Sequence, residues 1–260
     1  MSNWCSNEIT IHPVDDTKEA KEQFKAFLEL IEADIKNNTI GNNLFNRLVP
    51  MPEELKITAG SSTNFGIAVA KSLDNNDHTE IDGLMSASWL QGEAEIKTRE
   101  DLIKHLTTGE NPSANLKEGR QALVNKEKYG YHNWYEWSLA NWGTKWDVGN
   151  EIHISCIEDE KLEFSISTAW SPPLTVFTTA GEKFDKLYIE IEYEESGCGF
   201  EGTFNMEYGE SSDDSRAYDT TKNCEQCEEE NGCEECSWGV DESEYPENCP
   251  CLQKADEERI

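Results

Sequence analysis

The sequence predicts an α+β fold: an antiparallel sheet with helices on one face, a helical and loop insertion, and an acidic, cysteine-rich C-terminal tail. Three observations carry this expectation. Residues 8–12, 152–156, 162–170, 187–193 and 200–208 alternate apolar and polar side chains with a period of two, as half-buried strands do. Two other stretches repeat apolar residues every three or four positions, as helices do. From Tyr208 onward the apolar pattern stops and cysteines and carboxylates take over.

Taken in order, Ile9 and Ile11 lie on one side of the first strand. Asp16 with Glu19 is a capping-box-like helix start, followed by an apolar stripe of Ala20, Phe24, Phe27, Leu28, Ile31 and Ile35, and Asn37-Asn-Thr ends the helix. Residues 53 to about 130 interrupt the pattern and are expected to be an insertion. Gly60-Ser-Ser-Thr and Asp74-Asn-Asn-Asp there are loop chemistry. Thr98 with Asp101 starts a short helix through Leu102, Ile103 and Leu106, and residues 116–128 form another that Gly119 weakens.

On a helix, Tyr131, Trp134, Tyr135, Leu139 and Trp142 share one arc of roughly 140°. This predicts a core helix stopped by Gly143, with Trp137 off the arc as an exposed aromatic. Ile152, Ile154 and Cys156 then alternate toward the core, and Asp159-Glu160 turns the chain into the next strand. Ser171-Pro-Pro is an N-cap before a helix running through Leu174 and Phe177 to near Phe184. Leu187, Ile189, Ile191 and Tyr193 form the next strand, Ser196-Gly-Cys-Gly turns, and Phe200, Phe204, Met206 and Tyr208 form the last. With the insertion and the tryptophan helix set aside, strand, helix, two strands, helix, strand is the ferredoxin-like order.

Four stretches, in this order, also resemble a known family: Met1-Ser-Asn-Trp-Cys-Ser-Asn-Glu-Ile-Thr10, Arg47-Leu-Val-Pro-Met-Pro52, WYEWSLANWGTKWD over residues 134–147, and TAWSPP over residues 168–173. They resemble the YubB-type ferredoxin-like domain family of phages and conjugative plasmids, over residues 1 to about 208. The resemblance implies the specific architecture and a phage or mobile-element origin; it implies no particular activity. Residues 1–207 are expected to be that domain with its insertion, and residues 208–260 a separate acidic module.

Charge sets the expected partners. Lys and Arg number 22 against 53 Asp and Glu, a net charge of −31, so phosphate backbones and anionic membranes repel this chain while basic protein surfaces attract it. No apolar run approaches the ~20 residues of a membrane helix, and no basic-then-apolar start marks a signal peptide. The expected location is the cytoplasm of the host cell. On the sheet face away from the apolar side chains, alternation places Glu8, Glu151, Glu163, Glu190, Glu192, Glu194, Glu201 and Glu207 against one lysine, Lys161. Nucleic-acid-binding sheets present the opposite charge there.

The tail carries Cys224-x2-Cys227, Cys233-x2-Cys236 and Cys249-Pro-Cys251, within 17 Asp and Glu against 4 Lys and Arg. Too little apolar material remains for a core, so metal or disorder is expected. Paired cysteines two residues apart suit tetrahedral structural zinc. Both CxxC pairs, or one pair with Cys249 and Cys251, can supply the four thiolates.

Nothing asks for catalysis. The five histidines sit in no recognisable triad or metal motif, although His12 and His153 are candidates to hold a divalent metal on the sheet face. The expected function is therefore a non-enzymatic protein that binds a basic surface of a host or defence protein and mimics nucleic-acid charge, with Glu163, Glu190, Glu192, Glu201 and Trp137 making the contact. The alternative is a zinc-containing accessory protein that binds nucleic acid or a replication assembly through Lys97, Arg99, Lys104, Lys117, Arg120, Lys126 and Lys128 of the insertion.

Overall fold

The computed structural model describes residues 3–90, 96–108, 112–149 and 152–217. Its principal elements begin with strand β1 (Trp4–Pro13) and helix α1 (Lys18–Leu30). Six helices follow: α2 (Leu44–Leu48), α3 (Ser61–Asp74), α4 (Thr79–Met85), α5 (Arg99–Thr107), α6 (Leu116–Tyr129) and α7 (Trp134–Asn141). Strands β2 (Ile152–Ile157) and β3 (Leu162–Ala169), helix α8 (Leu174–Lys183), and strands β4 (Leu187–Glu195), β5 (Phe200–Glu207) and β6 (Glu210–Ala217) complete them. The six tail cysteines and Glu151 lie outside the described residues. None of the described helices is long and apolar enough to cross a membrane.

Two compact units emerge. The first takes the described residues of 1–40, 150–172 and 181 onward; the second takes those of 41–149 and 173–180. The first unit is a six-stranded antiparallel sheet in the order β2-β3-β1-β4-β5-β6. Its first four members make the ferredoxin-like arrangement, with β1 between β3 and β4. Ile9 pairs with Phe164 on one side and Ile191 on the other.

Alternation decides which face is buried. Cys5, Ile9, Ile11, Leu162, Phe164, Ile166, Leu187, Ile189, Ile191, Phe204 and Met206 point into the core. Against them α1 lays Ala20, Phe24, Phe27 and Leu28, and Phe184 meets Phe27 edge-on at 5.6 Å. Asn7 is the polar exception on this face. Its amide donates to the carbonyls of Cys5 and Ile166 and to the Thr168 hydroxyl, so its buried amide nitrogen is satisfied.

Three details depart from the sequence expectation here. Thr17, not Asp16, caps α1, and the helix stops at Leu30 because Glu32 adopts a left-handed φ of 52°. Ile35 therefore falls outside the stripe and is 43% exposed. A bulge between Ile154 and Cys156 breaks the alternation of β2, setting Cys156 opposite Glu163 and sending Ile157 into the core. The sheet also continues past Tyr208. Tyr208 and Gly209 both take positive φ, 51° and 77°, which is the twist of a two-residue hairpin turn, and β6 returns along β5.

The second unit is helical. α3 lies where only loop chemistry was expected, and it crosses α6 at two glycines. A Cβ on Gly66 would sit 2.1 Å from the Asn115 carbonyl oxygen, and one on Gly119 would sit 2.1 Å from the Gly66 carbonyl carbon. Gly119 weakens α6 as an isolated helix; here it permits backbone-to-backbone packing. Around this crossing Val69, Ile81, Leu102, Leu106 and Ala114 form a core, with α5 started by the expected capping box of Thr98 and Asp101.

Candidate functional site

The tryptophan segment has structural work. Trp142 is buried, meets Trp137 edge-on at 5.4 Å and Phe45 at 6.2 Å, and donates its indole N–H to the Val49 carbonyl at 3.0 Å. Asp147 accepts from the backbone N–H groups of Phe45 (2.8 Å) and Asn46 (2.9 Å), capping α2 from across the unit because Asn43 at its start provides no side-chain cap. Two of the stretches that carry the family resemblance thus hold each other. Burial lifts the Asp147 carboxyl above its ordinary range, against the pull of the three N–H donors it faces.

Trp137 is a correction. It was expected to be exposed and is 6% exposed, while Leu139, expected in the core arc, is exposed. The reason is phase: Tyr131 lies before the Asn133 cap and so outside α7, and the buried side of the helix runs from Trp137 through Ser138 to the C-cap, Trp142. Trp137 fills the space beside it and is unavailable to a partner in this structure.

The polar face of the sheet is the remaining candidate. Strand register arranges it in rows. One row runs His153, Ser165, Glu8, Glu192, Thr203, Asp214; the next runs Cys156, Glu163, Thr10, Glu190, Asn205, Ser212. On the other side of the first lie Ser167, Ser6, Glu194, Glu201 and Arg216. Glu8 stands directly opposite Glu192, and Glu194 opposite Glu201. Carboxylates at alternate positions of β4 are spaced ~6.8 Å apart.

The four expected glutamates do not behave alike. Glu163 pairs with Lys161 at 2.7 Å, and Glu201 with Arg216 at 2.8 Å. Glu201 is itself almost buried, its side chain 12% exposed. Glu190 accepts from the Tyr188 hydroxyl at 2.9 Å, and burial together with that carboxylate pushes the Tyr188 phenol up to about 12. Glu192 remains exposed, joined by Glu8 and Glu194. These three surround a hollow of about 330 Å³ whose lining includes Ser6, Thr203, Glu201 and Arg216.

The two sheet histidines do not meet. His153 shares the Glu8 row, whereas His12 lies four residues along β1 and two strands across, roughly 16 Å away. His12 stacks on Tyr188 at 4.8 Å and its Nδ1 donates to the Pro13 carbonyl at 2.8 Å. Among the described residues no three His, Cys, Asp or Glu side chains are grouped to hold a metal.

Sequence reasoning missed β6, and with it Asp214 and Arg216. Residues 210–217 show no apolar alternation, since all eight are exposed; the only signal was Gly209 after Tyr208. Trp4 was also passed over. It shares the face of Ser6 and Glu8 and is 57% exposed.

Residues 141–237 match a family model described as a ferredoxin-like domain in Api92-like protein, in agreement with the strand order seen here. Among solved structures, protein api92 from Yersinia pseudotuberculosis is similar at 15% identity, over 84% of this chain and 99% of that one, with a TM-score of 0.35. No curated protein matches the chain.

Proposed function

We propose that this chain is a non-enzymatic binding protein, of phage or mobile-element origin, that docks its acidic sheet face on a basic surface of a host or defence protein. It would occupy a groove that otherwise holds nucleic acid. The observation that carries this reading is the placing of exposed Glu8 directly against exposed Glu192, with exposed Glu194 two positions along β4. Like charges facing each other across strands cost stability, and a basic partner would recover that cost. Glu8, Glu192 and Glu194 take the leading role, because Glu163 and Glu201 already have cations of their own.

The insertion favours this reading over nucleic-acid binding. Arg120 is held by Asp74 at 2.7 and 2.9 Å, Arg99 by Asp82 at 2.7 Å, and Lys128 by Glu54 at 3.1 Å. Three of the seven cations that would face phosphate are therefore paired within the unit.

The test is capture of partners from host lysate by the tagged full chain, with and without nuclease. The expected result is a basic nucleic-acid-binding protein that survives nuclease, is released by salt, and is lost with Glu192→Lys and Glu194→Lys together. Recovery that vanishes with nuclease, or that persists in the doubly reversed variant, sinks the proposal.

A further inference from the structure

The sheet face carries more than charge. Its positions along β1 are Trp4, Ser6, Glu8, Thr10 and His12. Facing the last four on β4 are Glu194, Glu192, Glu190 and Tyr188. Aromatic rings therefore bracket the carboxylates, with exposed Trp4 at one end and the stacked His12–Tyr188 pair at the other. The strip between them is ~27 Å long, the span of about eight residues of extended chain.

Lysine and arginine behave differently on such a strip. An ammonium is a strongly hydrated point charge that gains little from a ring beside a carboxylate. A guanidinium lies flat on the ring and still directs its in-plane N–H groups to the carboxylate. Both ends of the strip offer that combination. Trp4 is two residues from Ser6, the partner of Glu194, and Tyr188 donates directly to Glu190. The face already holds one such group: the Arg216 guanidinium reaches Glu201 across the β5–β6 pair and forms one wall of the hollow.

We infer that the β1–β4 strip is selective for an extended, arginine-bearing segment of its partner, with guanidinium groups seated on Trp4 and on the His12–Tyr188 stack. This rests on the acidic-face reading and narrows it from charge to side-chain chemistry. Alternate side chains of an extended segment share the ~6.8 Å period of Glu190, Glu192 and Glu194, so a sequence with arginine at every second position fits the strip in register.

The probes are an alternating arginine–serine octapeptide and its lysine–serine counterpart, which have equal charge, titrated into the full chain by calorimetry at low and moderate salt. The arginine peptide should bind roughly three- to fivefold tighter for each seated guanidinium. Trp4→Leu should remove one such factor for the arginine peptide and leave the lysine peptide unchanged; Trp4→Phe should restore part of it. Lysine binding unchanged between wild type and Trp4→Leu also shows that the variant face is intact. Equal binding of the two peptides, or an arginine preference that survives Trp4→Leu, overturns the selectivity and leaves the acidic face standing. Failure of both peptides to bind, or binding indifferent to Glu192→Lys and Glu194→Lys, overturns both.

Discussion

Alanine at Gly119 should damage the helical unit, although alanine is the better helix former. The added Cβ would lie 2.1 Å from the Gly66 carbonyl carbon, 2.4 Å from its oxygen and 2.5 Å from the Ile67 nitrogen. All three are backbone atoms of α3, so no side-chain rotation relieves the clash. Ordinary contact begins near 3.4 Å, which requires α3 and α6 to separate by about 1.3 Å. Overpacking of this kind costs about 1–3 kcal/mol, and the upper part of that range applies when only backbone can move. Better helix propensity returns about 1 kcal/mol. The expected net loss is about 2 kcal/mol, read as a melting shift of about 6–10 °C for a unit of this size. Buried Trp137 and Trp142 report on that unit by fluorescence. Gly83→Ala is the control: it lies in α4 with nothing within 4 Å of the added atom, and it should stabilise by up to about 1 kcal/mol. The same chemical change then gives opposite signs at two helical sites. Adding Gly66→Ala to Gly119→Ala should cost less than its single effect, because the helices are already apart. If Gly119→Ala stabilises as Gly83→Ala does, the glycine crossing is not what joins α3 to α6.

Two further outcomes test the interior. Asp147→Asn keeps the size of the side chain but removes one of the two oxygens that accept from Phe45 and Asn46; it should destabilise the helical unit by about 1–3 kcal/mol in urea denaturation, and an unchanged midpoint would refute the capping role. In the sheet unit, burial, reinforced by the charge of Glu195, pushes the Cys5 thiol from 9.0 up to about 12, and burial with a hydrogen bond to Asp213 pushes the Tyr193 phenol from 10.0 up to about 12. Between those ordinary values and about 12 the unfolded chain has released protons that the folded chain retains, so stability is complete below about pH 9 and falls as pH rises further. Urea midpoints measured across that window should decline, less steeply in Cys5→Ala. A flat profile would refute the assignment, as would native-state alkylation of Cys5 as fast as that of exposed Cys198.

The sheet was legible because its residues speak locally. A period of two at Ile9-Thr-Ile11 or Leu187-Tyr-Ile189 fixes which side chain faces inward, and the carboxylate face follows as its complement. The sequence could not announce events that depend on partners remote in the chain. Gly66 and Gly119 look like helix weakeners until they meet, and the bulge that turns Cys156 outward is visible only against β3. β6 has no inward face to betray it, so Arg216 and its hold on Glu201 stayed hidden, and with them the neutralisation of one expected contact residue. The arc that leaves Trp137 outside starts at Tyr131, which precedes the Asn133 cap, and nothing local in the sequence marks Trp137 and Ser138 as the inward side of α7.

The placing of β1 between β3 and β4 also sets a schedule. Ile9 is made well before its partners Phe164 and Ile191, which follow only after residues 41–149 of the helical unit. At ribosomal rates that wait is roughly 10–40 s. For that time an apolar strand with unpaired backbone is tethered to a growing chain. Closure of the sheet then depends on contacts of very long sequence separation, which form slowly. The helical insertion, whose core is drawn mostly from consecutive residues, can fold first and leave the ends of the sheet to find each other last.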